Sequence, residues 1–373
     1  MTTFRPFAME RWQSTYENRV EFNLSESGVH PLTLDELARL AGDADVGTTL
    51  LGYGQSNGSD ELRARIAGFY DGARDDGVVV TNGSAEANFL AMWELVGQGD
   101  EIAVIVPTYM QTYGLAENVG ARVVEIPLRE ENRWQPDPVD IRRAVTPRTR
   151  LIVVTNPGNP TGSVLGDEAR AAIVDAAART GAWILADEVY TGAELDGSET
   201  PSFFGLHERV IATGSLSKAY GLPGLRIGWA ATDPATAHVL WARSDYTTIS
   251  PGELTDRLAR IALDPAVRPA LLERTRGIVR TGMDTLTRWM EEQGGFHWHA
   301  PDAGAICFVR YDAPVDSDAL AERLRAQHSV LIVPGTHFGL GRYIRFGLGM
   351  PTDHFRAALD RVGDALKTAA IEV

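Results

Sequence analysis

Residues 151–162 read Leu151-Ile-Val-Val-Thr155 followed by Asn156-Pro-Gly-Asn-Pro-Thr-Gly162. A short run of apolar, largely β-branched residues that ends in turn-forming residues is typical of a buried strand entering a loop. Similar runs stand at 77–81, 102–107, 122–127, 183–187, 210–213 and 225–230. Helical patterns such as those at 86–95 and 168–180 separate them. This alternation predicts an α/β fold in which helices sandwich a mostly parallel sheet.

The pattern of predicted strands and helices changes after Pro251. A helical pattern at 252–293 contains a break near Asp264-Pro265. Strand-like pieces and helical patterns then alternate, at 305–310, 317–327, 330–334 and 352–369. This mixture predicts a second, smaller α+β domain. We therefore expect an N-terminal arm with part of the small domain at 1–44, a large domain at 45–255 and a small domain at 256–373.

Composition excludes several classes of protein. The chain has 373 residues, with 50 acidic and 35 basic side chains and a formal net charge of −15. A net anion has no long-range attraction for nucleic acid or anionic lipid, so we expect neither partner. Cys307 is the only cysteine, which excludes an intramolecular disulfide and a cysteine-based metal site. No apolar run could span a bilayer and no signal core opens the sequence, so we expect a cytoplasmic protein without a metal.

Polar residues follow several of the predicted strands, where α/β sheets bind ligands. A glycine turn before Ser84 and Ala85 leads into a helix whose first amides could hold a phosphate. Asp187 ends a predicted buried strand and needs a partner there. Lys218, followed by a glycine-rich turn and Arg226, suggests a reactive amine near an anion. Each fragment alone also has a structural interpretation, as a capped turn or a solvated charge.

Together these motifs resemble those of one enzyme family. The set comprises Asn-Pro-x-Asn-Pro-Thr-Gly at 156–162, Asp-x-x-Tyr at 187–190, and Ser-x-Ser-Lys at 215–218 with Arg226 eight residues later. It resembles the pyridoxal-phosphate enzymes of fold type I, within the class I/II aminotransferases. The resemblance covers about residues 20–365. An unrelated α/β domain would need several independent coincidences to carry the same set.

The resemblance implies pyridoxal 5′-phosphate as cofactor and gives three residues catalytic roles. Lys218 resembles the lysine that binds this cofactor covalently, which requires an amine able to lose its proton. Asp187 resembles the carboxylate that keeps the pyridine nitrogen protonated. Tyr190, together with Asn159, resembles the pair that binds the phenolic oxygen of the cofactor ring. Asn159 is also expected to face the substrate.

Further residues match the family's binding positions. Tyr109 resembles an aromatic residue stacked on the cofactor ring. The residues that resemble the phosphate-binding group are Ser84, Ala85, Ser215, Ser217 and Arg226. Tyr53 resembles a tyrosine that reaches the phosphate of a neighbouring subunit, which implies a homodimer with shared active sites. The residues expected at the substrate are Arg345, which resembles the clamp on the α-carboxylate, Gly28 of the arm, His30 and Tyr246.

The reaction is less determined than the cofactor, because one fold supports many chemistries. We expect transamination between an L-amino acid and a 2-oxoacid. The alternative is ring closure on a hydroxylated arginine, since Ser27-Gly-Val-His30 and residues 217–226 are similar to capreomycidine synthases. A non-enzymatic regulator domain that binds pyridoxal phosphate is disfavoured, because no DNA-binding module precedes the arm motif. Residues 244–251 lack an arginine and contain Asp245, so we expect aspartate to be a poor substrate.

Overall fold

The computed structural model describes residues 4–42 and 45–371. The predicted boundary at residue 44 lies outside the described residues, and the division into domains stays a prediction. The strands are β1 Phe22–Asn23, β2 Val78–Thr81, β3 Glu101–Val106, β4 Arg122–Arg129, β5 Gln135–Pro136, β6 Thr149–Thr155, β7 Trp183–Asp187, β8 Val210–Ser215, β9 Gly228–Ala231, β10 Phe296–His297, β11 Ile306–Tyr311, β12 Val330–Leu331, β13 Val333–Pro334 and β14 Tyr343–Gly347.

Helices connect and cover these strands. They are α1 Ala8–Tyr16, α2 Leu34–Leu40, α3 Asp60–Ala67, α4 Ser84–Leu95, α5 Gln111–Val119, α6 Pro138–Ala144, α7 Asp167–Thr180, α8 Pro234–Ser244, α9 Glu253–Ala262, α10 Arg268–Gln293, α11 Ser317–His328 and α12 Thr352–Ile371. The predicted break in the 252–293 pattern is the connection between α9 and α10. Within the described residues, no helix is long and apolar enough to cross a membrane.

The central sheet confirms the predicted fold class. Its strand order is β2-β9-β8-β7-β6-β3-β4-β5, and the five strands from β8 to β4 in this order are parallel. β9 is antiparallel to both β8 and β2, so β2 runs in the same direction as the parallel strands. Leu151 and Val153 pack into the core on one face, and Ile152 and Val154 into the core on the other. Both faces are therefore buried, as in α/β proteins.

One predicted strand begins later than its sequence pattern indicates. The pattern predicts a strand over 225–230, but β9 begins at Gly228. Residues Pro223–Leu225 form a 3-10 turn, and Arg226 has a left-handed backbone with φ of 52°. This turn replaces the first residues of the predicted strand. It also carries the guanidinium group of Arg226 towards the carboxyl edge of the sheet.

A second, antiparallel sheet lies beside the first, in the order β10-β11-β14-β13. Its core includes Cys307, which is fully buried, and residues of α10, α11 and α12. The N-terminal segment joins these elements, because Phe22 of β1 pairs with Val330 of β12 in parallel. After β1 the arm approaches the carboxyl edge of the central sheet, where a Cβ on Gly28 would lie 3.8 Å from Cδ of Lys218.

Candidate active site

A cavity of about 340 Å³ opens at the carboxyl edge of the central sheet. The strands that run in one direction all end there, so the residues that follow them converge on one space. Nine of the residues predicted from the sequence line it: Ser84, Ala85, Tyr109, Asn159, Asp187, Tyr190, Ser217, Lys218 and Arg226. We call Ser84, Asp187, Lys218 and Arg226, which the central sheet and its loops provide, the floor of the cavity.

One end of the floor is an anion cradle at the start of α4. Gly83 precedes the helix with φ of 78°, and a Cβ there would lie 2.3 Å from Nη2 of Arg226. A Cβ on Gly228 would lie 2.2 Å from the backbone nitrogen of Ser84. Only glycine allows these approaches. The helix start and a guanidinium group therefore face the same small space, which suits a phosphate.

At the other end of the floor lies a buried carboxylate. Asp187 is 7% exposed, and its Oδ2 accepts a hydrogen bond of 2.9 Å from Nδ2 of Asn88. Thr213 in turn donates to Oδ1 of Asn88, which fixes the amide's orientation. Burial raises the pKa of Asp187. Among the described residues no basic side chain forms an ion pair with Asp187, so this carboxylate is arranged to receive a positively charged group of a ligand.

Lys218 also belongs to the floor and forms an ion pair with the arm. Its Nζ lies 3.1 Å from Oε1 of Glu26, a residue that the sequence did not single out. Burial, the largest single influence, acts to lower the pKa of Lys218, but the charge and hydrogen bond of Glu26 and the charge of Tyr190 together raise it. The Lys218 ammonium in turn holds the pKa of Glu26 down to about 2. The amine is therefore a charged group in this state of the protein.

A buried network links Tyr190 to Arg345. Nδ2 of Asn159 donates to the hydroxyl of Tyr190 over 3.3 Å, and Oδ1 of Asn159 accepts from Nη1 of Arg345 over 3.1 Å. Arg345 is almost fully buried, and its Nε has no hydrogen-bond partner. No carboxylate in the described part of the chain pairs with Arg345. It is a buried cation that lacks an anion.

These features fit pyridoxal 5′-phosphate. The cradle at Gly83 and Arg226 matches a phosphate, Asp187 matches a protonated ring nitrogen, and Lys218 matches an aldehyde. Tyr109 also lines the cavity, as expected of an aromatic residue that stacks on the cofactor ring. The donors and acceptors required by the cofactor are therefore present in one cavity.

Six other predicted site residues do not line this cavity. Gly28 and Arg345 lie against its lining residues, at Ser217 and Asn159 respectively. Ser215 is buried beneath it, where its Oγ accepts from the backbone nitrogen of Ser217. Tyr53 is 88% exposed. Tyr246 is 82% exposed and packs edge-on against Trp93. Nδ1 of His30 lies 2.9 Å from the carbonyl oxygen of Gly349.

Sequence reasoning missed one side of the cavity, which the N-terminal segment and the arm provide. Residues of α1 and the segment after it line it, namely Met9, Glu10, Gln13, Ser14 and Glu17, and the arm adds Glu26 and Ser27. A signal for the first set exists in the sequence: positions 10, 13, 14 and 17 are polar and lie on one helical face. We call Glu10, Glu17 and Glu26 the acidic wall.

The carboxylates of the acidic wall differ in their partners. Glu10 accepts a hydrogen bond of 2.8 Å from the hydroxyl of Tyr109, and Glu26 pairs with Lys218. Glu17 has no side-chain partner among the described residues. Burial raises the pKa of Glu17, and the charges of Glu26 and Glu10 raise it further. A cation placed between these carboxylates would relieve their mutual repulsion.

Comparison with known proteins gives one family. The family model described as aminotransferase class I and II matches residues 21–362. A capreomycidine synthase of Streptomyces vinaceus is 34% identical, over 97% of this chain and 94% of that protein. A pyridoxal-phosphate-dependent aminotransferase from Streptococcus suis has a similar structure, with a TM-score of 0.91, 31% identity and 98% of each chain covered. The pyridoxal-phosphate-dependent cyclase OrfR has a TM-score of 0.88 and 28% identity, over 98% of this chain and 97% of that one.

Proposed function

Since the chain belongs to the class I and II aminotransferase family and its cofactor is pyridoxal 5′-phosphate, we propose that it transaminates a basic L-amino acid with a 2-oxoacid. The observation that carries the substrate class is the acidic wall, whose three carboxylates line the same cavity as the floor. The floor supports the cofactor chemistry that this family shares. The wall supports the choice of a cationic side chain.

The proposed cofactor contacts follow the geometry of the floor. Ser84, Ala85, Ser217 and Arg226 hold the phosphate, with Ser215 supporting the loop from below. Tyr109 packs against the ring. Bound pyridoxal phosphate supplies an aldehyde that condenses with amines and a ring that withdraws electrons from the α-carbon.

The proposed catalytic residues are Lys218, Asp187 and Tyr190. Lys218 would hold the cofactor covalently and, when its amine is free, would act as the general base that removes the α-proton of the substrate. Asp187 holds a proton at the pyridine nitrogen, in a site where burial leaves that carboxylate in need of a cation. Tyr190 and Asn159 orient the ring through its phenolic oxygen.

Arg345 is proposed to bind the α-carboxylate of the substrate. A planar guanidinium group forms two parallel hydrogen bonds with a carboxylate, and Arg345 has the unpaired Nε and the unbalanced charge that such a ligand would satisfy. Gly28 allows the arm to pass close to Lys218, where a Cβ would add contacts. His30 and Tyr246 lie outside the cavity and have no part in this proposal within one chain.

The acidic wall is proposed to bind the substrate side chain. Three carboxylates face the space beyond the floor, and Glu17 is free to accept a guanidinium or ammonium group. An aspartate side chain would meet repulsion there. Arg243, the basic residue nearest to the 244–251 segment, pairs instead with Glu94 over 2.6 Å and packs on Trp93. We therefore expect aspartate to react poorly.

We also propose a homodimer with shared sites. Tyr53 stands 88% exposed, and Leu50 and Leu51 beside it are equally exposed. Such an exposed apolar segment suits burial against a second copy of the chain. Tyr53 would then add its hydroxyl to the partner's phosphate cradle.

Ring closure on a hydroxylated arginine is the second candidate, and one observation favours it. The Streptomyces vinaceus relative, named as a capreomycidine synthase, matches nearly the whole chain. A guanidinium substrate also fits the acidic wall. Both reactions begin with removal of the α-proton, so the same floor would serve either of them.

The experiment that tests the function is a panel of amino acids, including arginine, hydroxylated arginines, lysine and aspartate. Absorbance of the bound cofactor reports reaction, and mass spectrometry identifies the product. We expect a basic amino acid to react best and to yield a 2-oxoacid. A dehydrated cyclic amino acid that keeps its nitrogen would establish the second candidate instead. If aspartate reacts best, the interpretation of the acidic wall is wrong.

A further inference from the structure

Glu26 has an unusual arrangement beside Lys218. Its Oε1 accepts hydrogen bonds from the backbone nitrogens of Ser27, over 2.9 Å, and Gly28, over 3.1 Å. The same oxygen lies 3.1 Å from Nζ of Lys218. Two amides of its own loop thus fix the carboxylate in the orientation that meets the lysine. The arm therefore presents a preoriented anion to the one lysine of the cavity.

The charges that face Lys218 come from every element packed against it. Glu26 comes from the arm and Glu17 from the end of α1. Asp187 and Tyr190 lie at the end of β7 and just after it, and Arg345 comes from β14. Of these groups, only Glu26 contacts Nζ of Lys218 as an ion pair among the described residues.

We propose that Glu26 is a positioning residue that holds the Lys218 ammonium group whenever that nitrogen is not bound covalently. The proposal rests on the proposed function only for the role of Lys218 as the cofactor lysine. In that role the amine is released each time a substrate enters, and a flexible four-carbon stem would then let it leave the α-carbon. The Glu26 carboxylate keeps the amine beside Gly28, and the amine must give up its proton before it can act as a base.

The consequence is a difference in the pH at which Lys218 titrates. Burial lowers the pKa of Lys218, and Glu26 is the first of the groups, with Tyr190, that raise it again here. Removing the charge of Glu26 while keeping its shape should therefore lower the titration midpoint of Lys218. Each unit of that shift is a tenfold change in the fraction of neutral amine at a given pH.

The titration of Lys218 can be followed individually, because the sequence contains only two lysines, Lys218 and Lys367. The full-length protein, freed of cofactor, is dimethylated with ¹³C-formaldehyde, and the lysine methyl signals are followed by NMR against pH. Lys367 lies in α12 with a side chain 66% exposed and serves as the internal reference. Glu26→Gln keeps an oxygen that can accept from Ser27 and Gly28 but loses the charge. We expect the Lys218 midpoint to fall by at least about one pH unit, with the Lys367 midpoint unchanged.

Two further variants separate charge from structure. Glu10→Gln removes a charge of the same wall that has no contact with Lys218, and we expect a smaller shift. Glu26→Asp keeps the charge and should retain most of the raised midpoint. An unchanged midpoint in Glu26→Gln overturns the proposal. If Lys218 titrates as proposed but borohydride traps no cofactor on it, the proposed function fails while the positioning by Glu26 stands.

Discussion

The floor and the acidic wall line the same cavity but are held in different ways. The floor residues lie at or near strand ends of one continuous sheet, where the register between neighbouring strands fixes positions such as that of Asp187. The wall comes from α1 and the arm, which are held from outside the central sheet by the pairing of β1 with β12 and by side-chain hydrogen bonds. Gln13 donates to Ser25, and Tyr109 donates to Glu10.

This difference indicates separate roles, with the chemistry assigned to the floor and the recognition of the substrate side chain to the wall. Chemistry with a fixed cofactor needs groups held to within a fraction of an ångström, which a sheet edge provides. Recognition of a side chain can vary among relatives while the chemistry stays constant, and a helix with the arm that follows it can change without disturbing the sheet. We therefore expect changes to the floor to affect turnover, and changes to the wall to affect substrate preference.

The largest effect is expected from the floor. Lys218→Ala removes both the covalent link to the cofactor and the proposed base, so turnover should fall by about three orders of magnitude or more. Cofactor should still bind without a covalent link, through the cradle at Arg226. Borohydride reduction followed by peptide mapping measures the link directly. Lys367→Ala is the matched control and should retain both turnover and label at Lys218. A Lys218→Ala enzyme with ordinary turnover would refute the assignment of the floor.

A smaller effect is expected where the floor depends on a second subunit. Tyr53→Phe removes only the hydroxyl proposed to reach the partner's phosphate, so cofactor affinity should fall about tenfold. Substrate preference should not change, because the wall belongs to the same chain as the floor. Fluorescence titration of the cofactor gives the affinity, and sedimentation gives the assembly state. Tyr113→Phe on α5, which loses a hydrogen bond to Glu125 of β4, is the control. A monomer with full cofactor affinity would contradict the shared site.

The fold could be predicted because its signals are local. Runs of β-branched residues separated by helical patterns mark strands such as β6 and β7 within a residue or two. The prediction of a strand at 225–230 was wrong at its start. The left-handed backbone of Arg226 cannot be predicted from the pattern of hydrophobic residues. That residue's conformation is set by the cradle it serves, which only the folded structure brings together.

The floor could be predicted from local sequence motifs, whereas the wall depends on contacts that only the folded chain brings together. Floor residues occur in motifs with fixed spacing directly after strands. Asn88, which orients Asp187, lies almost a hundred residues earlier and looks like any polar residue in a helix. Glu26 and Glu17 look like surface charges in sequence, because their significance depends on how the arm crosses the sheet edge. The polar face of α1 at positions 10, 13, 14 and 17 was the available signal.

The most direct test of this division compares arginine with citrulline, its uncharged urea isostere, in the wild-type enzyme and in Glu17→Gln. Equilibrium dissociation constants are read from the absorbance change of the bound cofactor, so the comparison does not depend on which reaction follows. We expect the wild type to bind arginine at least about tenfold more tightly than citrulline, since a hydrogen bond between charged groups is worth more than one to a neutral group. In Glu17→Gln that ratio should fall towards one, with citrulline binding unchanged. Equal binding of the two ligands by the wild type, or a ratio that Glu17→Gln leaves intact, would contradict the account.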